Sequence, residues 1–380
     1  MNDRDDRYDV IVVGVGGMGS AAAYHLADRG LDTLGLERYD IPHTKGSSHG
    51  ITRIIRRAYY EHPSYVPLVE RAYELWDDLA EDTGRDIIHR TGSIDAGPED
   101  NAVFAGSKRS CEKHDIPHEV LTGAEVNERF PGYALPEEYR AVYQPDGGFV
   151  VPEQAIIAHT EAAQANGAEI RARERVRNWT ETNDGGVRVR TDRGVYIADA
   201  LVLAAGAWNY KLTDALEGLA VPERQALGWF QPETPATFTP EKFPVWNLSV
   251  PEGRFYGFPV YDVPGFKIGK YHHRQEDVDP DEFSREPDRE DETVLRDATE
   301  KYFPDAAGPT MGLSTCLFTN SPDEHFILDT LPNHPQVAVG AGFSGHGFKF
   351  ASAIGEVLAD LAMTGESDLS IDLFSLDRFE

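Results

Sequence analysis

Three glycines near the amino end, Gly14, Gly16 and Gly19, leave few folds open to this 380-residue chain. They lie between a short apolar, β-branched run, Tyr8–Gly14, and a run of small residues with helical spacing, Ser20–Arg29, closed by Gly30. The first run reads as a buried parallel strand, and a second strand is expected over Leu31–Glu37. A β-α-β unit with this glycine spacing is a dinucleotide-binding turn. Gly14 permits the tight turn, Gly16 lets backbone approach a pyrophosphate, and Gly19 lets helix and strand pack closely. The helix N-terminus offers free N–H groups to the phosphates. Glu37, eighteen residues beyond Gly19, stands where an acid accepts ribose hydroxyls and disfavours a 2′-phosphate.

Further nucleotide-domain elements are expected downstream: a helix over Pro152–Asn166, a strand over Glu169–Val176, a hairpin pairing Val187–Thr191 with Tyr196–Ala198, and a buried strand Leu201–Ala205. That last strand ends in Gly206-Ala207-Trp208, a second glycine turn that favours FAD over NAD. A third glycine-rich stretch, Gly340–Lys349, follows the expected strand Val337–Gly342 and leads to a helix over Ala351–Thr364. Four glycines in so short a run suit a backbone that lies against a flat ring, with a helix N-terminus beside it for developing negative charge. Elsewhere the spacing predicts helices over Tyr65–Glu81, Ala102–His114 and Asp291–Tyr302, and strands over Arg254–Tyr261 and Phe266–Tyr271. The acidic stretch Gln275–Glu290 reads as a solvated loop. The expected fold class is α/β (α+β), with a discontinuous Rossmann-like FAD-binding domain (1–86, 150–215 and 323–380). A substrate domain (87–149 and 216–322) would be built on a mixed or antiparallel sheet.

Composition narrows the partners. A net charge of −29 repels nucleic acid phosphates and anionic lipid. Lysines number nine against 27 arginines, a balance suited to high salt. No run of eighteen apolar residues suggests a membrane span. The polar start, Met1–Asp9, lacks a signal-peptide pattern, and the final residues form no peroxisomal address. The cytoplasm is the default compartment. Two cysteines, Cys111 and Cys316, argue against a disulfide framework or a cysteine-rich metal site.

Candidate chemistry lies in a few places. A spacing of three would put Arg53 and Arg56 on one helical face, where guanidinium groups clamp a carboxylate. The approach to them, Gly46–Gly50, is rich in glycine and hydroxyls. Cys316 reads either as a core cysteine or as a cofactor attachment point, and its surroundings alone favour the core.

These features, with the segment His43–Tyr60, Trp208, Phe255–Pro259, Phe266–Gly269, Ser321–Asp329 and Gly342–Lys349, resemble the monomeric sarcosine oxidase and N-methyltryptophan oxidase family over Tyr8–Phe379. The resemblance implies FAD bonded covalently to Cys316. Lys267 is then placed near the flavin to activate molecular oxygen, with Arg53 on the opposite face. It implies that Arg56 and Lys349 grip the carboxylate of a small amino acid, that Tyr256 walls the pocket, and that His49, Thr52, Val176, Gly206, Trp208, Gly345, Gly347 and Lys349 contact the cofactor. An active-site histidine falls on His272, with Tyr271 and His273 in competition. The resemblance implies an oxidase of N-methyl or secondary amino acids, sarcosine oxidase-like, that works as a monomer; the alternatives are an N-methyltryptophan, pipecolate, proline or glycine oxidase, a dehydrogenase relative with another electron acceptor, and a nucleotide-bound assembly or sensor protein without turnover. Two departures stand out: Ser48 precedes His49 where the family often has a second histidine, and Phe318 stands where it often has tyrosine.

Overall fold

A computed structural model describes residues 6–379 of the chain. Residues 1–5 and 380, the polar lead-in and the last residue, lie outside the described residues. The β-α-β unit forms as the glycine spacing dictates: strand Asp6–Val13, helix Gly17–Asp28 and strand Thr33–Leu36, with the first strand parallel to the second. Its apolar core residues, Val10, Ile11, Val12 and Val13, are buried.

An eight-stranded sheet grows from this unit in the order Val176–Glu181, Val187–Thr191, Val195–Leu203, Asp6–Val13, Thr33–Leu36 and Glu169–Arg171. The strand Val195–Leu203 serves two neighbours along one edge. Its first half pairs antiparallel with Val187–Arg190, and Leu201–Leu203 runs parallel to Val337–Val339. The hairpin strand and the buried strand expected separately are therefore one strand. Conversely, the single strand expected over Glu169–Val176 is two strands on opposite edges, broken where Arg173 takes a positive φ of 58°. The helix Ala351–Thr364 packs on Gly17–Asp28 so closely that a Cβ on Gly355 would lie 2.3 Å from that of Ala21. No helix among the described residues is long and apolar enough to cross a membrane.

A nine-stranded mixed sheet takes its strands from 93–144 and 221–320. Its spine is Val221–Phe230, paired along one edge with Thr310–Asn320 and on the other with Phe266–Lys270. The contact between Val245–Val250 and Ser93–Gly97 is its parallel joint. An aromatic cluster of Phe230, Phe238, Phe243, Trp246, Phe266 and Phe303 fills the space beneath it. Emptying one such buried ring costs about 3–5 kcal/mol. A small third sheet, Arg53–Ile55, Gly148–Val150 and Ile88–Arg90, joins the two larger ones near the cleft. Arg53 therefore lies on a strand, not a helix, and Arg56 follows its end. The shared helical face expected for this pair does not form.

The acidic stretch is largely exposed, as a solvated loop should be, but it is tethered. Asp281 accepts from Arg38 at 2.6 Å, from the Trp208 indole at 2.9 Å and from Lys211 at 2.9 Å. Asp291, fully buried, takes both ends of the Arg224 guanidinium at 2.8 and 2.6 Å. Its position as the third residue of helix Arg289–Tyr302 also closes a capping box with Asp288.

Candidate functional site

One continuous cleft runs from the glycine turn to the junction of the two large sheets. At the turn, Gly14 has φ 91°, and a Cβ there would lie 2.5 Å from the Ala204 carbonyl oxygen. Gly19 does not line the cleft. A Cβ on it would stand 1.7 Å from the Gly14 oxygen, so its part is to let helix and strand close. Gly16 faces open space and caps the helix without a side chain, leaving the first-turn N–H groups to the cleft. The Glu37 carboxylate accepts from the N–H of Val15 at 3.0 Å and of Tyr39 at 2.9 Å. A carboxylate has about four lone-pair sites, so acceptor capacity is left for a ribose. Val176, Gly206 and Trp208 also line this end. Side-chain-free turns, an uncapped helix end and a buried acid are a donor and acceptor set that fits the ADP part of FAD.

Past the turn the cleft meets Arg53 and Cys316. Arg53 donates to the carbonyls of Thr52 at 2.8 Å and Ser47 at 2.7 Å, and its Nη2 lies 3.8 Å from Cys316 Sγ. Cys316 sits on strand Thr310–Asn320, 4% exposed, and lines the cleft. A thiol from one sheet is thus presented beside a guanidinium from another.

Lys267, His49 and Thr52 lie behind this lining. Lys267 Nζ donates to the Gly50 carbonyl at 2.6 Å and to the Thr52 carbonyl and hydroxyl, each at 2.9 Å. The Phe258 ring centroid is 4.4 Å from the nitrogen. Burial, then Arg53, pushes the lysine well below its ordinary pKa, while Glu153 opposes the shift. Burial and Arg53 also push His49 down to about 3, leaving a neutral ring. Gly50 and Thr52 are joined by an unusual turn. The Thr52 N–H donates to the Gly50 carbonyl at 2.9 Å across Ile51, whose φ is 75°. This is the positive-φ γ-turn, rare and strained. A β-branched residue at its centre costs about 1–3 kcal/mol.

At the inner end Arg56 is 2% exposed. It donates to the Ala58 carbonyl at 2.7 Å and to Glu61 at 3.2 Å, its Nε lies 3.4 Å from Asp95, and its guanidinium stacks over Tyr60 at 4.3 Å. Although burial raises Glu61, Arg56, His346 and Lys349 hold it at about 2. Lys349 also lines the cleft and donates to the His346 carbonyl at 2.8 Å. Burial first, and Arg56 second, lower its pKa to about 7. His346 Nε2 faces the Glu324 carbonyl at 2.9 Å, so that nitrogen carries the proton. Its Nδ1 therefore accepts the Tyr59 hydroxyl at 2.5 Å, and burial pushes the ring down to about 4. Tyr256, Gly345 and Gly347 line the cleft too.

His272 is not at this site, and its assignment to the catalytic centre is corrected. Continuing the period-two alternation beyond strand Phe266–Lys270 puts Tyr271 on the side of Lys267 and His272 on the other. Tyr271 lines the cleft and donates to the Ser344 carbonyl. His272 turns outward to Glu223 at 2.7 Å and Glu324 at 3.2 Å. Burial opposes its charge, but the two carboxylates raise it to about 9. His273 is buried against Asp291. Tyr271, a competitor of His272 for that position, takes it, whereas Tyr60, Glu61, Asp95 and His346 have no part that the sequence assigns. Only Glu61, five residues past Arg56, and His346, inside the third glycine stretch, stood close to a recognised signal.

The family described as FAD dependent oxidoreductase matches residues 9–361. The monomeric sarcosine oxidase of Bacillus sp. (strain B-0618) is 42% identical over 379 residues, covering 98% of this chain and 96% of that one. The N-methyl-L-tryptophan oxidase of Yersinia pestis (strain Pestoides F) is 36% identical over 376 residues, covering 98% and 99%. Among solved structures, NikD, an unusual amino acid oxidase essential for nikkomycin biosynthesis, superposes with a TM-score of 0.84 at 29% identity, covering 97% of each chain.

Proposed function

The chain belongs to the FAD-dependent oxidoreductase family, and on that premise we propose that it oxidises a small N-methyl or secondary amino acid, sarcosine first among them, with FAD bonded covalently through Cys316. One observation carries the reading: the cleft that begins at a dinucleotide turn passes a buried thiol and ends at two buried cations, Arg56 and Lys349. FAD, when bound, takes two electrons and a hydrogen from the carbon next to nitrogen and delivers them to an acceptor.

The chain's own residues do the rest. Arg56 and Lys349 hold the substrate carboxylate. Their charge depresses the amine pKa and supplies the unprotonated amine. Arg56 rests on Glu61 and Asp95 until a carboxylate competes for it. Tyr256, Tyr271 and Phe318 wall the space beside the amine. Lys267, with its three hydrogen-bond acceptors, is the cation on the side that oxygen approaches, and Arg53, which shares the Thr52 carbonyl with it rather than facing it across the cofactor, stands next to Cys316. The Gly14 turn, Glu37, Val176, Gly206, Trp208, Gly345 and Gly347 hold the cofactor, and His49 and Thr52 back that lining without facing the cleft. Sarcosine, water and molecular oxygen give glycine, formaldehyde and hydrogen peroxide, oxygen taking up the two electrons. The domain division given above, a monomeric state, a cytoplasmic location and a surface adapted to salt belong to the same reading.

The test is a panel of sarcosine, N-methyltryptophan, proline, pipecolate and glycine in air-saturated buffer. The reading expects formaldehyde, glycine and peroxide in equal amounts from sarcosine. Turnover only with an artificial acceptor would make the protein a dehydrogenase. No turnover of any of the five would overturn the reading.

A further inference from the structure

Resting on the reading of Lys267 as the oxygen-side cation, we propose that Glu153 is a positioning residue for Lys267, holding the strained Gly50–Thr52 turn so that its oxygens converge on the lysine. Glu153 is the second residue of helix Pro152–Ala165, a helix whose start has no side-chain cap. Its carboxylate reaches away from the helix. It accepts the Gly50 N–H at 2.7 Å and the Ile51 N–H at 3.1 and 3.2 Å from its two oxygens. Two successive N–H groups are thereby fixed on one side of the turn. The carbonyls of Gly50 and Thr52 and the Thr52 hydroxyl are left on the side of Lys267.

The turn has a reason to leave this shape. Ile51 is β-branched at φ 75°, and Gly50 is at 94°. Relaxation to an ordinary backbone would rotate the Gly50 and Thr52 carbonyls off Lys267. The bonds from Gly50 and Ile51 to Glu153 oppose it from the N–H side, opposite the donors that Lys267 and Arg53 place on the two carbonyls. The neighbouring Arg53 shares the Thr52 carbonyl at 2.8 Å, so the same anchor also bears on the guanidinium beside Cys316. Arg53, Cys316, His49 and Glu153 are charged or titratable groups that face Lys267, and Glu153 is the carboxylate among them.

The experiment uses the flavin-loaded protein and three variants. Glu153→Gln keeps the shape but turns an amide nitrogen towards a backbone N–H. Glu153→Asp keeps the charge but withdraws it by one methylene. Lys267→Met tests the underlying reading. In both Glu153 variants the second-order rate of reaction of the reduced enzyme with oxygen should fall, at least tenfold for Gln and at least fivefold for Asp. Anaerobic reduction by substrate should change less than twofold. Adding Ile51→Gly, which tolerates a positive φ without an anchor, should restore at least half of the loss on a logarithmic scale. A readout independent of turnover is the 13Cε resonance of Lys267, resolvable among nine lysines. Its position and titration midpoint should move in both Glu153 variants. Oxygen rates and a Lys267 resonance at wild-type values in Glu153→Asp would overturn the positioning claim, even if Glu153→Gln fails to accumulate. A wild-type oxygen rate in Lys267→Met would instead overturn the reading on which it rests.

Discussion

Replacing Lys349 with methionine should abolish the pH dependence of carboxylate binding. Lys349 is buried beside Arg56 and has a pKa of about 7. About nine-tenths of it is charged at pH 6 and about one-tenth at pH 8. An unreactive carboxylate such as acetate binds the ammonium form, so its affinity should weaken as pH rises through 7, approaching tenfold per unit. Two neighbours that face Lys349 keep their state in this window: His346, at about 4, stays neutral, and Glu61, at about 2, stays anionic. Losing one charged hydrogen bond to a carboxylate costs about 1.5–3 kcal/mol, or about ten- to a hundredfold in Kd. Titration of acetate against the absorbance of the bound flavin, from pH 6 to 8.5, measures both effects. Lys349→Met should bind at the weak, high-pH level throughout. Wild-type affinity that is flat across pH 7, or a variant that keeps the slope, would refute the reasoning.

Three other outcomes follow from the geometry. Gly19→Ala drives a Cβ to 1.7 Å from a backbone oxygen. It should cost at least about 1–3 kcal/mol of stability and the cofactor with it, seen as lost flavin absorbance and a lower Tm. Asp291→Asn leaves the buried Arg224 with an amide where it had a bidentate carboxylate. A loss of about 3–5 kcal/mol is expected, read as an earlier denaturation midpoint. The net charge of −29 should make Tm rise as sodium chloride is raised from low to molar concentration; a falling Tm would count against salt adaptation.

The parts of the molecule legible in the sequence were those carried by local pattern. Helix Ala351–Thr364 and strand Asp6–Val13 follow from periodicity over consecutive residues, and the Gly14 turn from glycine positions that only one geometry needs. Arg53 and Arg56 were misplaced because a spacing of three fits a helix and also a strand end. What decides between them is the pairing of Arg53 with Val150, nearly a hundred residues away. His272 was misplaced because a run of Tyr271, His272 and His273 gives no phase; the strand leading to it does. Glu153 and Asp95 acquire their parts only when separate segments meet. Asp281, in a stretch that reads as solvent-loving, is tied down by Arg38, Lys211 and Trp208, three residues that sequence cannot bring together.

The central claim is a flavin bonded to Cys316. Its most direct measurement is acid precipitation of the purified protein beside a Cys316→Ala variant, with absorbance read in pellet and supernatant. The account predicts a yellow wild-type pellet and a colourless variant pellet. Yellow confined to the wild-type supernatant, or a variant pellet as yellow as the wild type, would contradict it.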